Sequence, residues 1–341
     1  YYVVFGERSN GKTYSALLSH YKEWKEGKAG KICYMRLTQT EIEQSAVKVG
    51  NPYKAVNRDH GFDIRFLSAG KKQYEILDYS EVKEKPADDE KQDPASIGVG
   101  AALSSLGSLR GVDFGDVTEI YFDEFIPAES VVRTVAIKNA GRLFLNAYET
   151  INRNRELLGQ DPVRCYFTAN AFSLDSDILR RFGCVDIINY MQRKGQKRYT
   201  DPDRSIYIEI CEAPEVSEAK RQTALYKAIA KDDDYLTMAI DNRFDDYMLT
   251  LIRQVPIIEY RPIAAYKDIT IYRHKSNGTL YAAKRKDTVP DGCRYDETTR
   301  GIFLEAFYFY YHSSIKMRMI YFDRIDTKMT LDNALDKSNR L

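Results

Sequence analysis

The first fifteen residues constrain the fold more than any other stretch of the chain. Tyr1–Phe5 is an apolar run typical of a buried strand, and Gly6–Thr13 (GERSNGKT) fits the phosphate-binding loop pattern G-x-x-x-x-G-K-[ST]. Apolar residues then recur at helical spacing from Tyr14 to Tyr21. Strand, loop and helix in direct succession favour a nucleotide site in an α/β sheet over the alternative, an ordinary glycine-rich turn.

The residue types of this loop match the chemistry of a triphosphate. Gly6 and Gly11 allow the backbone to wrap the phosphates with its N–H groups pointing inward, at a helix N-terminus that favours anions. We expect Lys12 to reach the β- and γ-phosphates and the Thr13 hydroxyl to bind Mg²⁺, so the predicted cofactors are ATP and Mg²⁺. Arg8 is predicted to contact phosphate or a neighbouring subunit. The predicted nucleotide-binding residues are Gly6, Arg8, Ser9, Asn10, Gly11, Lys12, Thr13 and Tyr14.

A second motif supplies the acidic groups that such a loop needs. Ile120–Glu124 (IYFDE) is an apolar strand that ends in two carboxylates. Asp123 is predicted to hold Mg²⁺, and Glu124 is predicted to orient or deprotonate the attacking water. The adjacent pair fits ATP hydrolysis better than a small-molecule kinase, which takes its nucleophile from the substrate. A solvated strand end is the alternative interpretation.

Polar and basic residues further along are candidates to complete the catalytic set that Lys12 and Glu124 begin. Asn170 ends the next strand, and its amide either bridges the γ-phosphate and the water or forms a turn. Arg153 and Arg155 are candidates to stabilise transition-state charge in a neighbouring subunit, and the alternative is a salt-bridged loop end. Arg110 is another candidate for such a trans contact.

Composition excludes several classes of protein. The chain has 341 residues, 43% of them hydrophobic and 30% charged, which suits a globular protein of two or three domains. The chain contains no run of eighteen apolar residues, so we expect no membrane span. Five scattered cysteines without a C-x-x-C pair indicate a reducing compartment, and four distant histidines argue against a metal cluster. Because the chain starts inside a strand and without Met, we expect residues upstream of Tyr1.

The pattern of elements predicts three parts. Alternating strands and helices over residues 1–212 predict a mostly parallel sheet with helices on both faces; here Asp186–Tyr190 reads as a strand. Residues 213–248 read as a linker that contains one helix, Glu215–Lys231. Residues 249–341 read as a small α+β domain, in which Asn277-Gly278 marks a hairpin.

The C-terminal part carries an excess of positive charge. Residues 249–341 hold 16 Lys and Arg against 11 Asp and Glu, which leaves 35 against 39 in the rest of the chain. This bias favours a phosphate-backbone partner, although a mere surface bias would look the same. The candidate nucleic-acid contacts are Arg273, Lys275, Lys284, Arg285 and Lys286.

Four runs together resemble the DNA-encapsidation ATPases of small short-tailed phages that use a prohead RNA. They are Tyr2–Ser15, Ile120–Ile126 (IYFDEFI), Ile151–Cys165 (INRNRELLGQDPVRC) and Met238–Phe244 (MAIDNRF). The resemblance implies a P-loop ATPase domain of the additional-strand (ASCE) type, a linker and a degenerate RNase H-like C-terminal domain. It also implies a ring, pentameric in the family, that drives double-stranded DNA through the portal into the prohead.

The resemblance also assigns roles residue by residue. Lys12 and Thr13 match the phosphate-loop pair, and Asp123 and Glu124 match the Mg²⁺-binding and water-activating carboxylates. Asn170 matches the sensor residue. Arg153 matches the arginine offered to a neighbour's ATP, and Arg110 matches another basic position by spacing alone. The expected location is the host cytoplasm and, transiently, the portal vertex, without a membrane partner.

Two other functions remain open from the sequence. One is another ring-forming P-loop ATPase that acts on nucleic acid, such as a helicase or a secretion-type motor. The other is a non-catalytic module that only senses nucleotide, against which an intact Glu124 argues. We expect no nuclease activity, because the acidic residues of 249–341 are not arranged on strands as a two-metal site requires.

Overall fold

The computed structural model describes residues 1–6, 11–70, 72–82, 93–108, 114–126, 139–170, 174, 176–212, 214–228 and 251–336, with the backbone alone at 106–108 and 214. The chain divides into two compact units, each with its own β-sheet. The first comprises Tyr1–Phe182 and Met191–Phe244, and the second comprises Gly183–Tyr190 and Asp245–Leu341.

The first unit is built on a large, mostly parallel sheet, as predicted. Its described strands are β1 (Tyr2–Gly6), β2 (Lys31–Arg36), β3 (Ile64–Gly70), β4 (Gln73–Asp78), β5 (Ala95–Ala102), β6 (Val117–Asp123), β7 (Arg164–Ala169), β8 (Arg198–Asp201) and β9 (Ile206–Cys211). They lie in the order β3-β4-β5-β2-β6-β7-β1-β9-β8. The six central strands run parallel to one another: β5, β2, β6, β7, β1 and β9. The edge strands β3, β4 and β8 add antiparallel pairings.

One inserted strand decides the fold class. β7 lies between β1, which leads into the phosphate loop, and β6, which ends in Asp123. Phe167 of β7 pairs with Val3 on one side and with Phe122 on the other. This is the arrangement of the additional-strand type, so the predicted fold class is confirmed. Because the three strands are parallel, their carboxyl ends meet at one edge, where such sheets bind ligands.

Helices cover both faces of this sheet. The described helices of this part are α1 (Lys12–Lys25), α2 (Gln39–Ser45), α3 (Lys54–His60), α4 (Ala140–Asn152), α5 (Asp177–Arg181), α7 (Pro214–Arg221) and α8 (Ala224–Ala228), whereas α6 (Val185–Arg193) begins in the second unit. Tyr121 and Phe122 follow each other in β6 and therefore point to opposite faces. Tyr121 belongs to a buried cluster with Leu17 of α1, whereas Phe122 stacks on Phe144 of α4 at 6.0 Å.

Two secondary-structure predictions were wrong. Asp186–Tyr190, predicted as a strand, lies inside helix α6, because the buried residues Val185, Ile188 and Met191 recur every third position and not every second. Glu215–Lys231, predicted as one helix, is interrupted between α7 and α8. There Thr223 donates from both its backbone N–H and its hydroxyl to the carbonyl of Lys220. These two hydrogen bonds terminate α7. Residues 229–231 lie outside the described part.

The second unit is the small α+β domain that was expected. Its described elements are β10 (Tyr260–Tyr266), β11 (Ile269–His274), β12 (Leu280–Ala283), β13 (Arg294–Tyr295), α9 (Arg300–Lys316), β14 (Ile320–Phe322) and α10 (Ile325–Ala334). The sheet order is β13-β10-β11-β12-β14, with an antiparallel meander flanked by two parallel strands. The predicted Asn277-Gly278 turn joins β11 to β12, and Gly278 has the positive φ of 76° that the turn requires.

Candidate active site at the carboxyl edge of the large sheet

The phosphate loop and the carboxylate strand meet at this edge. Gly11 adopts a left-handed φ of 80°, and α1 begins directly after it at Lys12. The Thr13 hydroxyl lies 3.2 Å from Oδ1 and 3.3 Å from Oδ2 of Asp123 and donates to this carboxylate. A hydroxyl beside a carboxylate is a set of hard oxygen ligands that suits Mg²⁺. The residues predicted to hold the metal therefore fit it.

Lys12 lies at the centre of the same edge. Its Nζ donates to the carbonyl of Gly6 at 2.9 Å and to Oδ1 of Asn170 at 3.4 Å. Burial lowers the pKa of Lys12 to about 8, against the opposing effect of Asp123. The contact brings together two residues 158 positions apart that the sequence predicted to share a site.

Asp123 is surrounded by hydroxyl groups that sequence reasoning missed. Its carboxylate accepts from the Tyr34 hydroxyl at 3.0 Å and from Oγ1 of Thr168 at 2.9 Å, and Tyr121 hydrogen-bonds to Thr168 at 2.9 Å. Burial and the charge of Asp123 raise the pKa of both tyrosines, so both hydroxyls stay protonated as donors. These groups fix the orientation of Asp123, which is only 7% exposed.

Arg36, at the end of β2, engages both predicted catalytic carboxylates and was also missed. It donates from Nη2 to Oε2 of Glu124 at 2.7 Å and from Nη1 to Oδ2 of Asp123 at 3.3 Å. Glu41 lies 3.5 Å from the same guanidinium. Burial opposes the charge of Arg36, but the surrounding acidic groups outweigh it and raise the pKa of this arginine. The pairing holds the Glu124 side chain beside β2.

The backbone at Glu124 supports that orientation. Glu124 has a left-handed φ of 48°, a conformation that costs a non-glycine residue on the order of 1 kcal/mol. The next residue, Phe125, donates its N–H to the carbonyl of Thr168 at 3.2 Å, which fixes the turn. Half of the Glu124 side chain is exposed, although one of its carboxylate oxygens is paired with Arg36.

Two of the predicted trans arginines, Arg153 and Arg155, lie at the opposite end of the sheet. Arg155 donates from Nη1 to the carbonyl of Gly115 at 3.2 Å and from Nε to that of Asp161 at 3.0 Å, next to the start of β6. β6 runs about 20 Å from this end to Asp123. Arg153 is exposed on the same loop. The structure therefore does not bring Arg153 or Arg155 together with the carboxylates of their own chain, and Arg155 is engaged by backbone carbonyls.

Comparison with known proteins places this chain in a family. The family described as Podovirus DNA encapsidation protein (Gp16) matches residues 2–288. The chain belongs to this family. As a member of the encapsidation family with an intact phosphate loop and carboxylate pair, it is a phage genome-packaging ATPase.

Two solved phage structures share the fold of this encapsidation ATPase. "The Phi-28 gp11 DNA packaging Motor" has 18% sequence identity and a TM-score of 0.62, covering 100% of this chain and 95% of that one. "The bacteriophage Phi-29 viral genome packaging motor assembly" has 16% identity and the same TM-score of 0.62, covering 98% of this chain and 95% of that one. Among curated proteins, none matches the sequence.

Not every predicted site residue of the encapsidation ATPase has a described position. Arg8, Ser9, Asn10 and Arg110 lie outside the described residues. Tyr14 is described, and its hydroxyl lies 3.1 Å from Nε2 of His60 on α3, within hydrogen-bonding distance. None of the described helices is long and apolar enough to cross a bilayer.

The predicted nucleic-acid contacts of the second unit differ in how they are engaged. Lys284 lies 3.6 Å from Asp268 and 3.5 Å from Asp326, so nearby carboxylates already balance its charge. Lys275 donates to the carbonyl of Ile258 at 2.6 Å. All five side chains are exposed, and Arg285 lies 3.6 Å from Asp287. As nucleic-acid contacts all five stay a prediction.

Proposed function

We propose that this encapsidation ATPase works as a ring that translocates double-stranded DNA into the prohead, with an arginine supplied to each site by the neighbouring subunit. The contact between the Thr13 hydroxyl and the Asp123 carboxylate carries the proposal, because it joins the phosphate loop to the acidic strand at one point. ATP would lie over Lys12 and the N-terminus of α1, with its γ-phosphate toward Glu124 and Asn170.

Each side chain at the carboxyl edge then has one task. Lys12 would exchange its contacts with Gly6 and Asn170 for the β- and γ-phosphates, and Thr13 and Asp123 would hold Mg²⁺. When bound there, Mg²⁺ supplies positive charge that balances the phosphates. Glu124 accepts a hydrogen bond from the attacking water and orients it.

Arg36 regulates the availability of that carboxylate. While Arg36 donates to Glu124 at 2.7 Å, the glutamate is held toward β2 and one of its oxygens is occupied. Hydrolysis requires the Glu124 side chain to leave this contact and turn to the water. A step that breaks the pairing, such as DNA engagement, would then switch hydrolysis on.

Arg153 acts on a second copy of the chain. It follows α4 at the opposite end of β6, a strand about 20 Å long, so it lies away from the carboxylates of its own chain and would serve another subunit's nucleotide. A contact that joins one edge of a subunit to the opposite edge of the next is head-to-tail, and such contacts form a ring when the rotation between subunits closes. The family resemblance suggests five subunits.

The remaining assignments follow from the same proposal. Residues 1–212 form the ATPase domain, 213–248 the linker and 249–341 a C-terminal domain without nuclease activity. The partners are double-stranded DNA, the portal and a prohead RNA. The motor works in the host cytoplasm and, transiently, at the portal vertex of the prohead.

Arg153→Ala tests the trans assignment. We expect it to abolish DNA-stimulated ATP hydrolysis while nucleotide affinity stays near wild type, because the arginine belongs to the neighbour's transition state. Arg198→Ala, which removes a well-exposed arginine elsewhere on the same unit, should leave both quantities unchanged. When Arg153→Ala subunits are mixed with wild type, activity should fall more steeply than the mutant fraction rises. A strictly proportional fall would contradict coupling between neighbouring subunits.

A further inference from the structure

The loop after α4 exposes two adjacent leucines. We call Arg153–Gly159 the leucine tip; it contains a short 3₁₀ helix, Arg155–Leu158. Leu157 is 84% exposed and Leu158 is 72% exposed. Single exposed apolar residues are common, whereas two adjacent leucines with this exposure form a small apolar patch that is suited to burial by a partner.

The leucine tip is held in one conformation. Arg153 and Asn154 are consecutive non-glycine residues with left-handed φ angles of 46° and 58°, an arrangement that persists only where the surroundings enforce it. Asn152 enforces it by donating to Glu156 at 2.7 Å and accepting from the N–H of Val163 at 2.9 Å. A loop fixed before binding loses little conformational entropy on docking, so its leucines make a better anchor.

The position of the leucine tip indicates what covers it. Leu157 and Leu158 lie within five residues of Arg153, on the loop that the proposed function directs to a neighbouring subunit's nucleotide. A surface that delivers this arginine must itself be covered by that subunit. From this continuity we infer that Leu157 and Leu158 are the apolar anchor of the head-to-tail contact with a second copy of this chain. The inference rests on the proposed function.

The leucines and the arginine of the leucine tip have different roles. The leucines supply affinity between subunits through apolar burial, and Arg153 supplies charge to the reaction. Because the contact is head-to-tail, the tip docks on a different surface of the next copy and not on its own counterpart. Loss of the leucines should therefore weaken assembly, whereas loss of the arginine should weaken chemistry within assembled rings.

The test is a pair of substitutions on the full chain. Leu157→Ser with Leu158→Ser should raise the dissociation constant for self-association, measured by analytical ultracentrifugation with an ATP analogue and double-stranded DNA, by about tenfold or more. ATP affinity at low protein concentration should stay at the wild-type value. Ile258→Ser is a matched control, since Ile258 is 81% exposed on the other unit, and should leave self-association unchanged.

The outcomes separate this inference from the proposed function. If wild type assembles and the double variant assembles equally well, the leucine anchor is wrong and the ring stands. If wild type stays monomeric under these conditions, the ring fails and the anchor fails with it. A photo-crosslinking residue at position 158 gives a second measurement: adducts to a different surface of another copy support the anchor, and tip-to-tip adducts overturn it.

Discussion

Arg36 and Glu124 form a hydrogen-bonded ion pair, with Nη2 2.7 Å from Oε2, between the ends of two neighbouring strands. The pair couples β2 to the residue proposed to orient water. Arg36 also donates to Asp123 at 3.3 Å, so one guanidinium contacts the carboxylates of both Asp123 and Glu124. A shift of β2 that moves Arg36 would therefore change the orientation of the Glu124 carboxylate.

Replacement of this arginine should uncouple hydrolysis from its trigger. In Arg36→Gln the glutamate is released without DNA, so we expect the ratio of DNA-stimulated to basal ATP hydrolysis to fall by up to about tenfold, because solvent at the half-exposed Glu124 limits the effect. Steady-state phosphate release with and without DNA measures the ratio. Arg65→Gln, which breaks an exposed ion pair with Asp63, is the control. An unchanged ratio in Arg36→Gln would remove the regulatory role.

Tyr34 should tune the metal site through Asp123. Loss of its hydroxyl in Tyr34→Phe removes the 3.0 Å hydrogen bond that orients the carboxylate, and such outer-shell losses weaken metal binding by about tenfold. Titration of the ADP complex with Mn²⁺, followed by electron paramagnetic resonance, measures the affinity. Tyr53→Phe is matched to it, because the buried Tyr53 hydroxyl has no hydrogen-bond partner among the described residues. Equal metal affinity in both variants would argue against the positioning role.

Nucleotide binding should take up a proton above neutral pH. Burial lowers the pKa of Lys12 to about 8 in the free site, so at pH 9 most of the protein carries a neutral amine. A triphosphate favours the charged form and raises that pKa, so binding recruits close to one proton at pH 9 and almost none at pH 6.5. Calorimetry in buffers of different ionisation enthalpy measures the uptake. Lys12→Arg, whose side chain stays protonated, should bind nucleotide without proton uptake. If the wild-type protein takes up no proton on binding at pH 9, the low pKa of Lys12 is contradicted.

The parts of the site that the sequence predicted share one property. Lys12, Thr13, Asp123 and Asn170 all lie at the end of a strand or at the start of the helix that follows, where local patterns can be recognised. Because parallel strands align their carboxyl ends, recognition of each strand end was enough to bring these residues together. The inserted position of β7 needed the family resemblance as well, since strand order is not written in local patterns.

The missed residues depend on sheet order and register. Tyr34 and Thr168 lie inside β2 and β7, where a tyrosine or threonine looks like ordinary strand composition. Their role appears only when β2 and β7 flank β6, with Tyr34 paired to Tyr121 and Thr168 paired to Asp123. Arg36 was missed for the same reason, although a charged residue at the end of an apolar strand is a signal that could have been used.

The most direct test of the account is ATP turnover by Glu124→Gln. The account places Glu124 beside the attacking water and leaves nucleotide binding to Lys12, Thr13 and Asp123, so we expect turnover to fall by about a hundredfold or more while ATP affinity stays within a small factor of wild type. Turnover close to wild type with intact binding would mean that this carboxylate does not orient the water, and the assignment of the active site would be wrong.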